Sequence, residues 1–117
     1  MKIAIIGTGN LGKSIANGLI INNAITTLYL TKRNLDELSE FNGYKNVSLS
    51  SDNIEAVKNS DILILAVQPA HLENILVSIK PFLNENHVII STITGFSISK
   101  IENIGGIFGQ GVNNLYF

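Results

Sequence analysis

Near the start of the chain the apolar run Lys2-Ile3-Ala4-Ile5-Ile6 stops at Gly7-Thr8-Gly9-Asn10-Leu11-Gly12, three glycines at the spacing G-x-G-x-x-G. No other stretch narrows the fold as much. A short apolar run closed by glycine suits a buried strand, and apolar residues at Leu11, Ile15, Leu19 and Ile20 suit one face of a helix. Within such a strand, turn and helix, Gly7 permits the tight turn and Gly9 lets a pyrophosphate approach the backbone with no Cβ in the way. Gly12 lets helix and strand pack closely. The free N–H groups at the helix start then form an anion site. A glycine turn alone is weak evidence, so the reading depends on whether the remaining chain is built from the same unit.

The remainder keeps that rhythm. TTLYLT (26–31) is β-branched and aromatic enough for a second strand, and Asn34 is placed to cap a short helix reaching about Phe41. VSL (47–49) is a third strand, Asp52 caps a helix to about Asn59, and DILILAV (61–67) is the clearest buried strand, ended by Gln68-Pro69. Residues 70–79 carry Leu72, Ile75, Leu76 and Ile79 at helical spacing, HVIISTI (87–93) returns to strand, and 97–104 suits one more short helix. Strands alternating with helices imply parallel strands joined by right-handed crossovers. The expectation is an α/β fold, a Rossmann-type open, mostly parallel sheet with helices on both faces and ligands at the carboxyl ends of its strands.

Composition limits what else the chain can be. With 117 residues, 45% of them hydrophobic, it can bury one core, and a formal net charge of -1 offers no global field for nucleic acid or an anionic membrane. The absence of cysteine excludes disulfides, thiolate metal sites and a cysteine nucleophile. Its longest aliphatic stretch, residues 62–67, is far short of the ~20 apolar residues a spanning helix needs, so a cytoplasmic protein is expected. His71 and His87 lack ligand spacing and are each read as surface or capping residues, and Asp61 as setting a turn, so no metal site and no catalytic side chain is assigned.

The end of the second strand decides between cofactors. An acidic residue there would bond the ribose of NAD, but the chain reads Leu30-Thr31-Lys32-Arg33-Asn34, with no carboxylate until Asp36. A hydroxyl followed by two cations suits the 2′-phosphate of NADP, so NADPH is expected over NADH. The plainer alternative is that Lys32 and Arg33 are solvated loop residues.

Three segments, IGTGNLGKSIANGL, DILILAVQPAHLENIL and HVIISTITGFSISKIE, resemble the nucleotide-binding half of pyrroline-5-carboxylate reductase over about residues 1–105. The most distinctive parts are the AV-x-P turn, Ala66-Val67-Gln68-Pro69, and the S-x-x-x-G turn from Ser91 to Gly95. Gln68 stands where family members usually carry Lys, and Ile93 and Thr94 where they carry small residues. The resemblance implies reduction of 1-pyrroline-5-carboxylate to L-proline by hydride transfer from NAD(P)H. It implies that Ile6, Gly7, Thr8, Gly9, Asn10 and Leu11 wrap the pyrophosphate. Thr31 and its neighbours would hold the adenosine ribose and Asn53 would approach the adenine. Ala66, Val67, Gln68 and Pro69 would line the nicotinamide end together with Thr92, Ile93 and Thr94. Asn53 is equally readable as a helix-capping residue, and Pro69 as the first residue of a helix.

In the family a sixth strand and an all-helical second domain follow, which dimerises and completes the substrate pocket. IFGQGVNNLYF matches neither, so residues 1–105 are expected to form the dinucleotide-binding domain and 106–117 a tail left by an early end, a frame change or a cloning scar. An ordered strand is the plainer alternative. The substrate site is then incomplete, and self-association into a homo-oligomer is expected through Phe108, Leu115, Tyr116 and Phe117. Two other readings stay open: a stand-alone NADP-binding or assembly module without turnover, and another small NADP-dependent reductase.

Overall fold

The computed structural model describes residues 1–22, 27–92 and 114–116, the last three by backbone alone. A six-stranded parallel sheet runs through it in the order β3-β2-β1-β4-β5-β6. The strands are β1 (Lys2–Ile6), β2 (Thr27–Thr31), β3 (Val47–Ser50), β4 (Ile62–Leu65), β5 (Val88–Ser91) and β6 (Asn114–Tyr116). Between them lie α1 (Asn10–Ile21), a 3-10 helix (Leu35–Phe41), α2 (Asn53–Lys58) and α3 (Pro69–Ile79).

The pleat of β1 divides the core. Ile3 and Ile5 face α1 and the 3-10 helix, packing with Ala16, Leu28, Leu30, Leu38 and Phe41. Ala4 and Ile6 face the other way, with Val57, Leu63, Leu65, Leu72, Leu76 and Ile79 on the side of α2 and α3. Both faces are covered because each crossover lays a helix on the sheet, and that is why β1 and β4 read as unbroken aliphatic runs without alternating polar residues. Residues such as Leu63 and Leu76 have no exposed surface, and burying each contributes about 1.5–3 kcal/mol.

Several local expectations are corrected. The short helix after Asn34 has the expected bounds and is wound as a 3-10 helix: Leu35, Leu38 and Phe41 recur every three residues, and at three residues per turn this puts the fully buried Leu38 and Phe41 on one side. Leu11 is 54% exposed, and the inner face of α1 is built on Gly12 and Ala16 with Ile15, Leu19 and Ile20 packed around them. β4 stops at Leu65 and β5 at Ser91, shorter than expected, although the Ala66 N–H still donates to the Ile6 carbonyl at 2.9 Å and the Thr92 N–H to the Leu65 carbonyl at 3.1 Å. The expected helix over 97–104 lies outside the described residues, as do Phe108 and Phe117. The backbone of Asn114–Tyr116 continues the sheet beside β5.

His87 is buried rather than superficial, at 4% exposure. The Asn84 backbone N–H donates to its Nδ1 at 3.1 Å, which leaves the proton on Nε2, 3.1 Å from the Val57 carbonyl at the C-terminal end of α2. The ring is therefore a neutral tautomer that ties α2 to the start of β5. Replacing His87 by alanine leaves the Asn84 N–H without its acceptor and opens a gap, so we expect a loss of about 1–3 kcal/mol in urea unfolding. A loss below ~0.5 kcal/mol would show the tie to be dispensable.

Candidate functional site

In this strand order the chain leaves β1 toward β2 on one side while β4 lies on the other. The connections that leave the carboxyl ends of β1 and β4 therefore run to opposite faces of the sheet and leave a crevice between them. A cleft of about 610 Å³ opens there. Of the residues expected from sequence, Gly7, Gly9, Thr31, Lys32, Arg33, Asn53, Ala66, Val67 and Gln68 line it.

The three glycines differ in what they allow. Gly7 has φ +77°, and a Cβ on it would sit 2.2 Å from Val67 Cγ1, so the turn needs glycine both for conformation and for the approach of the β4 loop. A Cβ on Gly12 would press on Ile5 Cγ2 at 3.2 Å and Thr8 Cγ2 at 3.3 Å, the tight packing of helix on strand. Gly9 is different. Its φ of -90° and ψ of -154° are extended backbone open to other residues, and nothing lies within 4 Å of where its Cβ would be.

Hydrogen bonds from β2 fix the turn. Gly7 N–H donates to Thr31 Oγ1 at 3.1 Å, Thr8 N–H to the Thr31 carbonyl at 2.7 Å, and Gly9 N–H back to the Gly7 carbonyl at 2.8 Å. The first bond inside α1 runs from Lys13 N–H to the Gly9 carbonyl, so the N–H groups of Asn10, Leu11 and Gly12 have no partner among the described residues. No side chain caps α1 and no acidic residue stands in its first turn. By contrast, α2 is capped by Asp52, whose carboxylate accepts from Ile54 and Glu55 N–H, and the 3-10 helix by Asn34. The partial positive end of α1 is thus left for an anion.

Beyond β2, Thr31 is buried and fastened to the glycine turn, and Lys32 is only 27% exposed in its side chain. Lys32 Nζ donates to the Thr8 carbonyl at 3.3 Å and lies 3.5 Å from Glu37 Oε2. It is therefore not a freely solvated loop residue. Arg33 is exposed on the cleft wall and makes no ion pair among the described residues. Capping of α2 falls to Asp52, which leaves Asn53 to line the cleft.

Other expected residues stand outside the lining. Ile6 and Thr8 are fully buried, Ile6 in the core and Thr8 with its hydroxyl on the Ile5 carbonyl, while Gly12 is packed under the helix. Asn10 and Leu11 are exposed on the first turn of α1, and Pro69 opens α3 as its first residue. Thr92 donates its hydroxyl to the Leu65 carbonyl at 2.9 Å beside the cleft, and Ile93 and Thr94 lie outside the described residues.

The cleft also takes in Asn34, Glu37, Ser51, His71, Asn74, Ile75 and Ser78, none of them expected. His71, Asn74, Ile75 and Ser78 form one stripe of α3 beside buried Leu72, Leu76 and Ile79, with Ile75 packed against the core, so for the three polar residues the border of the apolar face was the signal. No group of metal-ligating side chains occurs among the described residues, and no helix among them is long and apolar enough to cross a membrane.

The family model described as NADP oxidoreductase coenzyme F420-dependent matches residues 2–95. Pyrroline-5-carboxylate reductase 2 of Dictyostelium discoideum is 38% identical over 104 residues, which are 87% of this chain and 35% of that protein. A pyrroline-5-carboxylate reductase structure from Coxiella burnetii superposes with a TM-score of 0.82 at 32% identity, over 89% of this chain and 39% of the other. The Plasmodium falciparum pyrroline carboxylate reductase, solved with NADP bound, gives 0.77 at 25% identity, over 99% and 41%. The chain thus spans well under half the length of these relatives. It belongs to the family of NADP oxidoreductases to which that model corresponds, and within it is homologous to the pyrroline-5-carboxylate reductases.

Proposed function

We propose that the cleft binds NADPH and that the chain is the cofactor-holding part of an oxidoreductase that reduces 1-pyrroline-5-carboxylate to L-proline. Gly9 is the observation that carries the cofactor reading. Neither its backbone angles nor its neighbours call for glycine, so the missing side chain is explained by a ligand that must come close to the backbone. The uncapped start of α1 beside it supplies what such a ligand needs. The N–H groups of Asn10, Leu11 and Gly12 would hold a pyrophosphate, with Gly7 and Thr31 fixing their direction.

Lys32 and Arg33 would meet the 2′-phosphate, Arg33 with a guanidinium that makes no ion pair among the described residues and can donate two parallel bonds. Asn53 and Ser51 line the end of the cleft near β3, suited to the adenosine, and Ala66, Val67 and Gln68 the end near β4, suited to the nicotinamide. The nicotinamide supplies the hydride when bound. The NADP-bound Plasmodium falciparum relative supports the cofactor, and the homology supports the imine substrate.

Gly9→Val should leave the chain folded, since the backbone there is extended and a Cβ meets nothing within 4 Å, at a cost of about 1 kcal/mol for the poorer N-cap of α1, and should weaken NADPH binding at least tenfold in a fluorescence titration. Unchanged binding would make the turn merely structural. Arg33→Ala should weaken NADPH about tenfold and leave NADH within about twofold, as expected for loss of a charge-assisted phosphate contact. Equal losses for both cofactors would remove the 2′-phosphate from that loop. NADPH oxidation with 1-pyrroline-5-carboxylate should stay at the rate without it, as expected of a cofactor-holding part alone, and turnover near the ~10 s⁻¹ of an ordinary enzyme would show a complete substrate site.

A further inference from the structure

Of the two cations after β2, one already has a counter-charge inside the cleft. Glu37 extends from the first turn of the 3-10 helix, lines the cleft, and brings Oε2 to 3.5 Å from Lys32 Nζ. Lys32 is held from the other side by the Thr8 carbonyl at 3.3 Å, so its ammonium stays between the glycine turn and this carboxylate. Arg33 next to it is unengaged among the described residues.

We propose that Glu37 is a specificity-determining residue of the cleft, a counter-charge that competes with a 2′-phosphate for Lys32 and so narrows the preference for NADPH over NADH. This rests on the reading of the cleft as a dinucleotide site. A phosphate monoester carries about -1.5 to -2 charge near pH 7, and seating it against Lys32 requires either displacing the carboxylate or lying beside it. Both oppose binding. A ribose with a free 2′-hydroxyl meets no such penalty, because a carboxylate accepts a hydrogen bond from a hydroxyl, the contact that selects NAD in folds of this kind. The acidic residue absent from the end of β2 is in effect returned to the cleft by the helix that follows.

The side chain of Glu37 is 55% exposed, so Glu37→Gln keeps its shape in a place where the fold does not depend on it. NADPH and NADH are titrated separately into the full wild-type chain, Glu37→Gln, and Asp36→Asn, which removes the same charge one residue away from a position that does not line the cleft. Glu37→Gln should bind NADPH about two- to fivefold tighter, the range of exposed charge pairs, with NADH unchanged or weaker and Asp36→Asn like wild type. The gain should fade at 1 M salt, where screening acts over about 3 Å. An NADPH-to-NADH ratio equal to wild type, an equal gain for both cofactors, or the same gain in Asp36→Asn overturns the role of Glu37 while leaving the dinucleotide reading intact. A wild-type chain that binds neither cofactor overturns both.

Discussion

Everything at the carboxyl edge of the sheet depends on the approach of Gly7 to Val67. With no side chain on Gly7, the turn after β1 lies directly against the turn after β4, at a distance where a Cβ would meet Val67 Cγ1 at 2.2 Å. Thr31 secures the third side, its hydroxyl and carbonyl receiving the Gly7 and Thr8 N–H groups. Three neighbouring strands are thereby joined at their ends by one absent methyl group and two hydrogen bonds. The turn's own N–H groups are all engaged in this joint, so the donors left over are those of the first turn of α1.

That division explains how a chain of net charge -1 builds an anion site. The positive potential comes from backbone dipoles with fixed directions, and side-chain charge enters only at the periphery, through Lys32 and Arg33. Backbone groups cannot rotate away as exposed side chains can. The end of the cleft at the start of α1 is therefore set by the fold, whereas the end near β2, where one ammonium is shared between a carbonyl and a carboxylate, is open to tuning by single substitutions.

Most of the architecture was legible from the chain alone because two periods do not overlap. Aliphatic runs such as IAII and ILIL suit only strands covered on both faces, and the glycine spacing placed the crevice. The short helix capped by Asn34 was legible in its bounds, while its 3-10 winding lay in the spacing of three between Leu35, Leu38 and Phe41, which was not used. His87 was read as a surface or capping residue, and its burial was not legible because a lone histidine carries no sign of the Asn84 N–H and Val57 carbonyl that satisfy it. The site was legible where the backbone forms it, at Gly7, Gly9 and the end of β2. It was illegible where tertiary packing brings a helix face across, as with Asn74 and Ser78, or where a helix returns a charge, as with Glu37. Those residues lie far from the motif in sequence, and only the crossovers bring them near.

The central position of β1 has a consequence for the life of the molecule. Residues up to Ser50 complete β3, β2, β1 and α1, and residues from Asp52 onward supply β4, β5 and the two helices on the opposite face. The ladder between β1 and β4 is the seam of these halves, and the cleft straddles it, with Gly9, Thr31 and Arg33 on one side and Ala66, Gln68 and His71 on the other. During synthesis β1 waits for its second neighbour until Leu65 has been made. A ligand that touches both banks binds only the closed seam, and at a hundred times its dissociation constant it adds about 2.7 kcal/mol against opening. Occupancy of the cleft thus acts as a removable staple, linking how long the folded chain survives to how much of its ligand surrounds it.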